Sequence, residues 1–198
     1  MKMPGLPDAP IGLVVRGYTF IRDKRLDAAL DRLRADGITI ADLENSDHRF
    51  AAFKRMVDAL ETCSSNAMME NLVDYLMAGV ATAVIDDKPD VFQQVLSNLA
   101  KLSEGQVEIL AEMRKREMRD GESAEAFQKG AELEKWVAGR YGVDEDTAQQ
   151  LIVALSQSGF TQSRHPTFSD LNGRTPMSHR VTGLADLLLD MVYYRCRL

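Results

Sequence analysis

Between Gly159 and Val181 the chain cannot continue as a helix. The stretch GFTQSRHPTFSDLNGRTPMSHRV contains Pro166 and Pro176, and a proline inside a helix removes a hydrogen bond and collides with the preceding turn. It also contains Asn172-Gly173, a dipeptide that favours a tight hairpin turn. Phe160–Arg164 and Met177–Val181, on either side of these turn signals, read as two short strands joined by a long tip. Thr182 then caps a last helix with Leu184, Leu187, Leu188 and Met191 on its apolar side. A hairpin must therefore be accommodated late in a chain that otherwise reads as helix.

Residues 1–22 are rich in proline and glycine and read as an extended arm, in which IGLVV is an edge strand or simply extended chain. DKRLDAALDRLRA places Leu26, Ala29, Leu30 and Leu33 on one helical face, and Gly37 stops that helix. GITIADLENSDHR is a connection with at most a short helical turn. From Phe50, the residues Phe50, Phe53, Met56, Val57 and Leu60 follow a three-four spacing. The next stripe is Met69, Leu72, Val73, Leu76, Val80 and Val84, with Ala78, Gly79 and Ala81 leaving a small surface for a neighbouring helix. Pro89 suits the first turn of a further helix that presents Val91, Phe92, Val95, Leu96 and Leu99. Ser103 and Gln106 form a capping box ahead of Val107, Ile109, Leu110 and Met113. A second domain is expected to start there, dividing the chain into an arm (1–22), a helical domain (23–102) and a C-terminal domain (103–198).

Residues 131–160 read as two helices across a tight turn. Leu133, Trp136 and Val137 line the first, which ends near Tyr141 where Gly142 can adopt the left-handed conformation. Val143 fills the corner and Asp144 is a good N-cap. Glu145 and Asp146 place negative charge on the positive end of the second helix. Ala148, Leu151, Ile152 and Leu155 form its buried stripe, and Gly159 closes it. Together, WVAGRYGVDEDTAQQLIVALSQSGF and SHRVTGLADLLLDMV resemble the winged helix-turn-helix superfamily, in particular bacterial repressor-type domains. The likeness covers roughly the last half of the chain. It implies a winged-helix-like domain with a small β-hairpin there, which, with the helical periodicity upstream, gives a mainly α fold: N-terminal helical hairpins or a bundle, then the winged-helix-like domain. It also implies that Gln149 and Gln150 face a partner or adenine edges. Arg164, Arg174 and Arg180 make the wing locally basic, with His165 and His179 beside them. Lys135 and Arg140 extend the same face.

The charge balance tempers a DNA reading. The net charge is -6 and the pI about 5.1, whereas phosphate binding draws its sequence-independent energy from clustered cations. Cys63 and Cys196 match no metal or redox spacing and read as reduced thiols in a cytoplasmic protein. No secretory signal is evident, and the longest apolar run, LMAGVATAVI, is about half a membrane span. His165, His179, Cys196 and Asp170 fit no zinc pattern, so no metal or cofactor is expected. Ser156 and Ser158 lack an oxyanion-forming motif, and no phosphate-binding loop appears. The acids Asp86, Asp87 and Asp90 around Pro89 read as a helix start, and the methionines as core filler. These readings converge on a non-enzymatic regulatory or protein-interaction module with a protein partner or self-association. A DNA-binding transcriptional regulator is the alternative, and an enzyme whose site forms only in three dimensions is a distant third.

Overall fold

The computed structural model describes the backbone over residues 9–164 and 177–194, and the side chains among these from Arg22 onward. Those residues form a mainly α structure with one small antiparallel hairpin near the carboxyl end. The sequence-based fold class matches it.

The amino terminus departs from expectation. Helix α1 spans Ala9–Ala35, so IGLVV is helical and the residues from Ala9 onward are not an extended arm. Pro10 stands in the first turn, where its missing N–H has no helical partner to lose. Valine lowers helix propensity only slightly, so continuity with the strong helix formers downstream decides the conformation. Past Ala35 the chain turns at Gly37, with φ +78°, a region glycine enters without strain.

Thr39 and Asp42 cap α2 (Ile40–Glu44) reciprocally, and Ser46 caps α3 (Asp47–Leu60). The buried residues of α3 are Ala52, Met56, Ala59 and Leu60. Phe50, the first residue of the expected stripe, is instead 49% exposed. Phe53 and Val57 lie partly buried at the margin of the core, so the inward face is rotated from the one counted from Phe50.

Helix α4 (Asn66–Ala81) is separated from α5 (Val84–Asp87), although the apolar spacing continues through Val84. Thr82 Oγ1 donates back to the Ala78 carbonyl at 2.7 Å, and Ala83 adopts a left-handed φ of 59°. A hydroxyl competing with the helical ladder favours such a break. Helix α6 (Pro89–Leu99) starts on its proline. Its Phe92 ring stacks on Tyr75 with centroids 4.5 Å apart, and a Cβ at Gly79 would lie 2.2 Å from that ring. The small surface of α4 thus admits an aromatic side chain. Val91, on the opposite side of α6, is 39% exposed rather than buried.

Helices α7 (Glu104–Lys115), α8 (Ala124–Tyr141) and α9 (Glu145–Ser156) follow. Strand β1 (Thr161–Arg164) pairs antiparallel with β2 (Ser178–Val181), Thr161 opposite Val181 and Arg164 opposite Ser178. The chain returns in α10 (Gly183–Val192), which packs along α4 and α7. Leu72, Leu76, Phe92 and Leu96 belong to the same buried cluster as Leu110, Leu133, Ile152, Phe160 and Leu188. Ser103 therefore caps a helix within a continuous core. Arg114 joins Asp190, and Arg119 joins Asp186 at 2.7 Å, fastening α7 and the segment after it to α10.

Candidate interaction site on α9 and the hairpin

Local chemistry positions α9. Gly142 ends α8 with φ +66°, and the Val143 N–H bonds the Ala138 carbonyl at 3.1 Å. Asp144 then accepts from the Thr147 N–H at 2.7 Å and from its hydroxyl at 3.1 Å. These donors hold the Asp144 carboxyl below the usual carboxylate range. Ala148, Ile152 and Leu155 face the core, whereas Leu151, expected in the same stripe, is 37% exposed. A helix offers only one inward stripe, and Leu151 lies beyond its edge. Leu151 shares the outer surface with Asp146, Gln150 and Ala154, and no lysine or arginine occurs anywhere on α9.

The two glutamines separate. Gln150 is exposed. Gln149 turns inward, and its amide donates to Oε1 of Glu134 on α8 at 3.1 Å. Glu134 is buried, and the Met177 N–H also approaches its Oε1, at 3.4 Å. His179 of β2, fully buried, brings Nε2 to 3.6 Å from the same oxygen, beyond hydrogen-bond reach. On the other side of the ring, Nδ1 lies 2.9 Å from the Ser163 hydroxyl. Ser163 is the cross-strand partner of His179, so the pair closes the hairpin while Glu134 ties it to α8 and α9.

Burial is the largest influence on Glu134 and opposes its charge. The facing imidazole, the Gln149 amide and the Met177 N–H together outweigh it and keep the carboxyl below the usual range. Gly130, one turn before Glu134, makes this approach possible, because a Cβ there would stand 2.0 Å from the Met177 carbonyl oxygen. Sequence reasoning missed Glu134, which looks like a surface acid in AELEK. The available signal was the i, i+4, i+8 series Ala126, Gly130 and Glu134, a narrow face that a strand can approach.

The arginines have protein partners. Arg164 pairs with Glu122, and Arg180 Nε donates to Gln162 Oε1 at 2.8 Å. The pleat puts Gln162, Arg164, Ser178 and Arg180 on one face of the hairpin. Arg140 joins Glu108 at 2.8 Å, while Lys135 is exposed. Arg174, His165, Pro166, Asn172-Gly173 and Pro176 lie outside the described residues, as does Cys196.

A cleft of about 70 Å³ beside His179 is bordered by Glu117, Asp120, Ser123, Glu125 and Lys129, room for a few water molecules. Among the described residues, no group of three or more His, Cys, Asp and Glu is arranged to hold a metal ion. Cys63 is buried, and burial pushes its thiol up. No helix among the described residues is long and apolar enough to cross a membrane. No family model matches this chain, and no curated protein or solved structure matches it.

Proposed function

We propose that this chain is a non-enzymatic interaction module on a winged-helix plan. Its partner is a protein that meets the outer face of α9 and the arginine-bearing face of the hairpin. The observation carrying this reading is the composition of α9, whose outer surface offers Asp146, Gln150, Leu151 and Ala154 and which has no cation. A helix entering a DNA groove meets phosphates on both sides and draws on Lys and Arg to do so. A surface mixing amides, one acid and a half-exposed leucine suits a protein interface, where an apolar anchor lies among polar contacts. The inward turn of Gln149 removes one of the two amides that would read bases.

Duplex binding is the second reading, favoured by Arg164 and Arg180 sharing one hairpin face. Retention of the full chain on nonspecific duplex at about 50 mM salt separates the two, because phosphate attraction is strong there. A photoreactive residue at Leu151, with one at exposed Lys101 as control, supplies the positive test. Protein adducts specific to position 151, with no duplex retention, support the interaction module. Salt-sensitive retention that is lost on Arg164→Ala and Arg180→Ala overturns it in favour of DNA.

A further inference from the structure

We propose that His179 and Glu134 form a proton-controlled latch, in which proton uptake by the buried imidazole tightens the hairpin against α8 and α9. The latch stands on geometry and is independent of which partner the module binds. His179 is fully buried on β2, and its Nε2 has no hydrogen-bond partner among the described residues. That nitrogen lies 3.6 Å from Glu134 Oε1, too far for a hydrogen bond yet close enough for strong Coulomb coupling in a poorly hydrated setting.

The two protonation states differ in a definite way. When the neutral ring carries its proton on Nε2, Nδ1 accepts the Ser163 hydroxyl proton and the Nε2–H faces the carboxylate across an incomplete contact. On proton uptake Nδ1 becomes a donor, the Ser163 hydroxyl rotates to accept, and the Nε2–H faces Glu134 as part of a cation. Glu134 also receives Gln149 from α9 and the Met177 N–H from the start of the return strand. A stronger pull on this one carboxylate therefore acts on α8, α9 and the hairpin together.

Other charges face the ring through the adjoining cleft. Glu117 and Asp120, from the segment before α8, and Glu125, from its first turn, border that cleft. Lys129 of α8 borders it too and is paired with Glu125 at 3.0 Å. From β1 the neighbour is the uncharged Ser163. Acids thus predominate around the imidazole.

The test follows imidazole proton resonances and backbone amide exchange in the intact chain as pH is varied, with His48→Gln and His165→Gln introduced to isolate His179. The expected result is one protonation step in the His179 ring, accompanied at the same pH by at least a threefold slowing of amide exchange in β2 on the acid side, after correction for intrinsic exchange. In Glu134→Gln the exchange step is lost. In Ser163→Ala, which retains the carboxylate but removes the acceptor for the Nδ1–H, both steps move together to lower pH. Absence of ring titration overturns the latch. So does titration without a coincident change in β2, or an exchange step that survives Glu134→Gln. If Glu134→Gln does not fold, the Ser163→Ala result decides: two steps that fail to move together refute the coupling.

Discussion

Gln149 of α9 donates its side-chain amide to Glu134 of α8 at 3.1 Å, inside the junction between the two helices. The side chain thus holds α9 to its neighbour. Replacing it with alanine leaves a buried carboxylate short of a donor. Such losses to charged groups cost roughly 1.5–3 kcal/mol. Gln149→Ala should therefore lower the urea unfolding free energy by about that amount, while exposed Gln150→Ala should stay within about 0.5 kcal/mol. Equal effects of the two variants would show that the contact contributes little.

Two glycines of α8 should respond in opposite directions. A Cβ at Gly130 would stand 2.0 Å from the Met177 carbonyl oxygen, whereas one at Gly139 meets nothing within 4 Å. Gly130→Ala must push the return strand away and should cost about 1–3 kcal/mol or more. Gly139→Ala fills an open helical position and should stabilise by about 0.5–1 kcal/mol. Parallel urea titrations would check both, and amide exchange should rise over 177–181 in Gly130→Ala alone.

These contrasts mark what could be read from the chain. Ser103 with Gln106, Gly142, Asp144 and Thr182 were identifiable because capping is settled within a few residues. Spacing places Phe50, Val91 and Leu151 on apolar stripes, yet they are exposed, since spacing supplies a period and packing chooses its phase. The helix from Ala9 went unread because proline, glycine and valine locally disfavour a conformation that the downstream turns propagate. The Glu134–His179 pair joins residues distant in sequence, and no local pattern brings them together. Of the candidate residues, Gln150 is exposed, whereas Gln149, Arg164 and Arg180 have partners within the molecule.

Glu134 also gives stability a pH dependence of defined sign. Its folded carboxyl titrates below the usual range, with the imidazole, amide and N–H contacts outweighing burial. A depressed carboxylate contributes stability that is fully present above its unfolded value and is lost as pH falls through the folded one. Urea midpoints of the native chain should fall across that acid range more steeply than those of Glu134→Gln. Parallel curves would assign the acid loss to other carboxylates, such as Asp86, which Arg49 holds low.

Thr182 joins the end of the hairpin to the start of α10 through a single hydroxyl. Its Oγ1 donates to the Gly159 carbonyl at 2.8 Å and accepts from the Ala185 N–H at 3.4 Å, while its own N–H bonds the Phe160 carbonyl at 2.9 Å. The backbone bond survives any non-proline substitution, but the side-chain bonds do not survive loss of the hydroxyl. Thr182→Ala removes a helix cap, which costs about 0.5–2 kcal/mol, and also leaves the Gly159 carbonyl without this donor. The expected destabilisation is therefore near the top of that range, about 2 kcal/mol. Thr182→Ser keeps the hydroxyl's bonds and should lose less than half as much. Urea unfolding of the pair measures the difference directly: equal losses would mean that the methyl group, not the hydroxyl, makes this corner stable.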